Sequence, residues 1–383
     1  MKLRLLPLAA ILFLCAGCAG REAVGEYREL DQLVLVDALG VDRRGEGLVV
    51  TAAASSEDGP IRLRAGADTV RRALAELQSY TEKQFMFYGH TRHLLLGEAD
   101  AGACLERCLE FAERSDEVRL DTWLFLVRDG TAEDAVTNPS ADSVGDLLDA
   151  LVKDVELLSE SRVFTCGETA EALAERGCAL VSAVRLTEAE NIVPEDKRLT
   201  LLSAGYGVVA EGRLAAWLDT DLARGANLLM DCPGGDVIEA PDGRGGVFAV
   251  RLTGSKARFL PEYRDGEPVS LHILLELRCS LAELSEPLDL TEGETLREME
   301  AAIAAVEGAR VDRVLCLSQA LGADFCGLGD GVRRASPLRF SRASVSWEEI
   351  FPALPITAEV RVKLERGGEG GVEGLPGEER AAG

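Results

Sequence analysis

The sequence predicts an α+β protein of several domains, with mixed, mostly antiparallel sheets flanked by helices and one long helix near the C-terminus. Three observations lead there. The chain has 383 residues and is 47% hydrophobic, enough for more than one core. Segments with apolar residues at steps of three and four alternate along the chain with short strand-like segments. Several of those strand-like segments are joined by tight Gly- and Asp-containing turns, the chemistry of antiparallel hairpins.

The N-terminus comes first. Lys2 and Arg4 precede an almost unbroken apolar run, Leu5 to Leu14, and then Cys15-Ala16-Gly17-Cys18. A positive start, about 10 apolar residues and small residues before a cysteine mark a signal peptide, whereas a spanning helix needs roughly 20. Residues 1–17 are therefore expected to be a lipoprotein signal peptide, and Cys18 the lipidated residue. The Leu usual three places before such a cysteine is replaced by Cys15, with Leu14 one further back. The alternative is an ordinary secretory signal cut near Ala19 or Gly20. No later stretch reaches about 18 apolar residues, so the rest is expected to be soluble and tethered by lipid.

After a polar lead-in, Leu33–Val36 and Leu48–Thr51 flank turn-forming residues 42–47 and read as a hairpin. Asp68 opens a helix carrying Val70, Leu74 and Leu77. A strand at His93–Leu96, a helix at Ala101–Glu113 and a strand at Leu120–Val127, alternating about Trp123 and Phe125, follow. Val144, Leu147, Leu148, Leu151, Val155 and Leu158 line a helix over 143–159; a shorter helix at Thr169–Glu175 and a strand at Ala179–Leu186 come next. Polar residues 188–198, with Pro194, suggest a boundary. Beyond it, Leu201–Ala210 and Arg213–Leu218 form a second hairpin about Glu211-Gly212, followed by a helix at Ala223–Met230. Val247–Leu252, Lys256–Leu260 and Val269–Cys279 read as three strands, with Gly243-Arg244-Gly245-Gly246 as turn punctuation. Thr291 and Glu294 suggest a capping box for the long helix. Leu296, Met299, Ile303, Val306, Val314, Leu317 and Leu321 line it, Arg310 is its one polar break, and Gly322 is its exit. Ile356–Leu364 is a last strand. The expected divisions are 1–17, an N-terminal α+β region over 18–195 with room for two subdomains, a C-terminal α+β domain over 196–366, and a Gly- and Glu-rich disordered tail over 367–383.

The formal net charge is -25, and loss of Lys2 and Arg4 with the signal makes it more negative still. That argues against nucleic-acid binding and against electrostatic attraction to anionic lipid. Eight cysteines remain beyond Cys15 and Cys18; their scattered spacing leaves disulfides open. Cys104 and Cys108 stand one helical turn apart, but no His or Cys pair nearby completes a metal site, and packing explains them better. His90 and His93, three apart where a strand begins, are expected to face opposite ways. No nucleophile elbow, phosphate loop or dinucleotide fingerprint is present. No catalytic, cofactor-binding or metal-binding residue is therefore expected, nor any cofactor.

Five segments together resemble the Ger(x)C family, the lipoprotein C subunits of spore germinant receptors. They are Arg28-Glu29-Leu30 with Leu35 to Asp42; Gly89-His90 leading to Leu94-Leu95-Leu96-Gly97-Glu98; and Gly207-Val208-Val209 with Leu214 to Leu218 and Gly225 to Leu229. The last two are Asp324-Phe325-Cys326-Gly327-Leu328-Gly329 and Trp347 to Pro352. Their order over nearly the whole mature chain is what carries the resemblance. Ala19-Gly20 replace the family's usual Trp-Asp, and Cys326 stands in a Phe place. The resemblance implies a non-catalytic, lipid-anchored subunit on the outer face of the spore inner membrane. It implies partnership with an A and a B membrane subunit in nutrient-triggered germination, and leaves open whether this subunit touches the germinant. A lipid-anchored solute-binding protein of a transporter is the alternative; it would need two similar lobes about a cleft.

Overall fold

A computed structural model describes residues 32–365, apart from 57–58, 82–83, 116, 139–142, 189–197, 233–234, 286–289, 291–292 and 344. It contains one large and one small sheet, both mixed, with helices packed on them. In the large sheet β1 (Leu33–Arg44), β2 (Gly47–Ser56) and β3 (Gly59–Ala67) form an antiparallel meander. The short β4 (Phe85–Phe87) lies parallel to the start of β1. Next to β1 come β5 (His93–Gly97), β6 (Trp123–Val127) and β7 (Cys178–Glu188), all parallel. Then β8 (Leu199–Ala210) and β9 (Arg213–Leu218) return antiparallel, giving the order β3-β2-β1-β5-β6-β7-β8-β9. The β7–β8 pairing joins the chain on either side of residues 189–197.

Helices cover both faces of this sheet. On one side lie α1 (Val70–Ser79) and α2 (Ala101–Arg114), which bury Leu74, Leu77, Cys104, Leu105 and Cys108 against it. Thr69 caps α1 by accepting from Arg72 N at 3.2 Å. On the other side lie α3 (Ala132–Val136) and α4 (Val144–Leu157), which pack Val136, Leu148 and Val155 against Leu95, Phe125 and Val127. Sandwiched strands need apolar residues in both directions. Leu124, Phe125, Leu126 and Val127 are accordingly all buried, so β6 does not alternate as the sequence pattern predicts. The strand starts only at Trp123; Leu120 is exposed. The helix α5 (Cys166–Arg176) begins three residues earlier than expected, at a capping box in which Thr165 and Glu168 exchange side-chain and backbone bonds.

The small sheet runs β10 (Val237–Pro241), β11 (Val247–Arg264), β12 (Glu267–Leu284) and β13 (Ile356–Glu365). The segments Val247–Leu252 and Lys256–Leu260 belong to one 18-residue strand, not two. Alternation lapses at Thr253-Gly254-Ser255 because the register shifts between Leu252 and Gly254, a bulge that the chain crosses without leaving the sheet. The helix α6 (Thr220–Leu229), the 29-residue α7 (Gly293–Leu321) and α8 (Leu328–Ala335) pack on this sheet, with the short α9 (Pro337–Phe340) and α10 (Trp347–Ile350) beyond. Gly322 closes α7 at φ 63°, the left-handed conformation expected of it. Leu180, Tyr206 and Val208 of the large sheet share a core with Ile273, Leu275, Val311 and Val314, so the two sheets are packed into one body.

Candidate functional site

Residues 1–31, and with them Cys18 and Arg28-Glu29-Leu30, lie outside the described residues. The remaining motif residues are placed, and they work as clasps between elements. On β1, Asp42 accepts from the backbone N–H groups of Ala132 and Glu133, each at 2.8 Å, and so caps α3. The approach needs two glycines. A Cβ at Gly97 would lie 2.0 Å from Asp42 Oδ1, and one at Gly40 would lie 3.0 Å from the Ala132 carbonyl. Burial raises the Asp42 pKa, although the two N–H donors pull it back. Glu98 accepts from Asp129 N at 2.7 Å and from Trp217 Nε1 at 3.2 Å, tying the Gly-Glu motif to β9.

His90 and His93 do not form a site together. His90 ends a short 3₁₀ turn, half-exposed, while His93 is fully buried and pairs through Nε2 with Asp149 Oδ1 at 2.9 Å. Burial pushes the His93 pKa down from 6.5 to about 4, against the pull of Asp149. Folding thus holds the ring neutral. That stabilisation is complete above pH 6.5 and is lost as the pH falls towards 4, by up to about 3 kcal/mol. Urea unfolding of wild type and His93→Gln between these pH values should show a shallower slope for the variant; identical slopes would refute the assignment.

In the third motif, Gly225 brings α6 against α7, where a Cβ would lie 3.1 Å from the Arg310 carbonyl. Asn227 accepts from the Tyr206 hydroxyl at 2.6 Å and donates to the Ser159 carbonyl at 3.0 Å. Arg310, the polar break in α7, is buried. It donates to Asp221 Oδ1 at 2.6 Å and to Glu307, with Arg224 and Asp236 close by. Burial pushes Glu307 up to about 7 even beside this guanidinium.

The last two motifs meet each other. Asp324 is buried and accepts from Leu328 N at 2.8 Å, Gly329 N at 2.7 Å and Trp347 Nε1 at 2.8 Å. A Cβ at Gly329 would lie 2.7 Å from Trp347 Nε1, so glycine lets the indole rest on the start of α8. Gln319 of α7 donates to the carbonyls of Phe351 and Leu354, holding the following turn. Beside this clasp opens a cleft of about 300 Å³, walled by Trp347, Phe340 and Phe351 on one side and by Glu175, Arg176 and Asp330 on the other. Arg176 donates to Asp330 at 2.8 Å, linking α5 to α8.

Cys104 and Cys108 are buried in the core under α2, and burial pushes Cys104 up to about 11, away from a reactive thiolate. All eight cysteines among the described residues are free thiols, and no group of three metal-ligating side chains occurs there. Sequence reasoning missed the capping role of Asp42, the Asp324–Trp347 bond and the Arg310 partners. The Thr165-x-x-Glu168 capping box and the i,i+3 spacing of Glu307 and Arg310 are the local signals that point to such contacts.

Two family models match. "Spore germination protein N-terminal domain" matches residues 26–186, and "Spore germination B3/ GerAC like, C-terminal" matches residues 204–368. The chain belongs to the Ger(x)C family. This family of germinant receptor C subunits is not a known enzyme family. The fold is similar to that in "Crystal Structure of the GerBC protein", with a TM-score of 0.56 at 17% identity over 85% of this chain and 96% of that one. None of the curated proteins compared with the chain matches it. The Ger(x)C body pairs a nine-stranded with a four-stranded sheet, which does not favour a solute-binding protein of two similar lobes.

Proposed function

We propose that this protein is a lipid-anchored, non-catalytic subunit of a nutrient germinant receptor, required for spore germination. The observation that carries the reading is the two family matches, in order, over residues 26–186 and 204–368. Cys18 carries the lipid and holds the folded body on the outer face of the spore inner membrane, beside the A and B membrane subunits. The sequence before Cys18 supports the anchor. No helix among the described residues is long and apolar enough to cross a membrane, and the acidic charge gives no attraction to anionic lipid. The motif side chains cap helices, pair with buried charges and let backbones approach, which supports a scaffold rather than a catalyst.

Cys18→Ala tests this. Expressed without the A and B subunits, the variant should move from the membrane to the soluble fraction and take up no labelled fatty acid. Spores carrying it should respond poorly to nutrients. If it stays fully membrane-bound without its partners, the anchor assignment is wrong; if spores lacking the protein germinate normally in nutrients, the receptor role is wrong.

A further inference from the structure

The cleft between α5, α8 and α10 has a composition that packing and clasping do not require. Its volume, about 300 Å³, is that of a small-molecule site. One wall is aromatic: the Trp347 ring lies 6.2 Å from Phe340 and 5.7 Å from Phe351, centroid to centroid. The rest is charged and unbalanced, with carboxylates from Glu175, Asp324, Asp330 and Glu348 against the guanidinium groups of Arg176 and Arg333. Asp330 takes both guanidinium groups, Arg176 at 2.8 Å and Arg333 at 2.7 Å, and Glu175 lies 4.0 Å from Arg333. Both cations are therefore already matched. Glu348, next to Trp347 in the chain, is exposed and has no ion-pair partner among the described residues. Indole is the best of the aromatic faces for a cation, and a nearby free carboxylate adds Coulombic attraction.

We infer that this cleft binds a small organic cation, an ammonium or guanidinium group on a short apolar stem, with the charge near Glu348 and the stem against Trp347. The same chemistry could be presented by a free amine or by a Lys or Arg side chain of a partner. The site is independent of the Cys18 anchor, since it rests only on residues of the folded body.

The test is an NMR titration of the full chain in detergent, following the Trp347 indole N–H signal, assigned by its loss in Trp347→Phe. n-Butylammonium should shift it saturably in the millimolar range, and less at high salt. n-Butanol and butyrate should do so weakly. Glu348→Arg should raise the Kd for n-butylammonium at least about fivefold with an unchanged melting point. Nα-acetyl-lysine N-methylamide separates the sources: tighter binding than n-butylammonium assigns the site to a partner side chain, and weaker binding to a free amine. Equal shifts from the amine and the alcohol, or a Glu348→Arg variant that binds n-butylammonium as well as wild type, would overturn the inference.

Discussion

Arg310→Ala is expected to cost about 3–5 kcal/mol of stability, a fall in melting midpoint on the order of 10 °C. Arg310 sits in the middle of α7 with only 11% of its side chain exposed, between Glu307, at 1%, and Asp221. The loss comes less from the attraction itself than from what remains. Without the guanidinium, Glu307 and the nearby Asp236 are left as buried carboxylates with Arg224 as their remaining cation. Arg313→Ala provides the comparison. Arg313 also reaches Asp221, but it is largely exposed, and its loss should cost under about 1 kcal/mol. Glu307→Gln together with Arg310→Gln should recover part of the deficit. Equal melting points for Arg310→Ala and Arg313→Ala would show that the buried network adds nothing.

Asp324→Ala should be nearly as damaging, at about 2–5 kcal/mol, because it leaves three donors without an acceptor at once. Two are the first N–H groups of α8, whose N-cap residue, Gly327, has no side chain to offer. The third is the Trp347 indole, through which α10 and the turn after it are fastened. Burial raises the Asp324 pKa, while Gly329 N–H, Leu328 N–H and the indole pull it back. Asp324→Asn keeps an acceptor oxygen and should lose less. Urea denaturation gives the stability, and Trp347 fluorescence should move towards that of exposed indole. An Asp324→Ala protein with wild-type stability and emission would mean that the two motifs are not coupled.

Some of the molecule was plain in the sequence. Apolar residues at steps of three and four marked α1, α2, α4 and α7 because a helix must bury one stripe whatever it packs on. The hairpins β1–β2 and β8–β9 were legible because a tight turn needs particular residues, Gly45 at φ 58° and Gly212 at φ 69° among them. Elements were misjudged where the partner decides the pattern. The sequence of β6 reads as alternating, but helices lie on both its faces. The sequence of β11 reads as two strands, but a bulge carries it through its polar middle. Arg310 stands out in the sequence only as a break: Glu307 lies one turn before it on α7, but Asp221 meets it only when α6 crosses α7.

The proposed signal peptide and lipid site, Cys18 above all, rest on the sequence alone, because export and lipidation read a short linear pattern before any fold exists. The family likewise follows from the order of motifs along the chain. What those motifs do was decided by tertiary structure. Asp42 and Asp324 look like ordinary acids in turns, yet each caps a helix that begins far along the chain or beside an indole 23 residues away. A carboxylate's role depends on which donors are brought within about 3 Å of it, and local sequence does not encode that distance. The Trp347 cleft is the same kind of product: its aromatic wall and its acids come from four helices, α5, α8, α9 and α10, and the turns beside them, which only the packed body assembles.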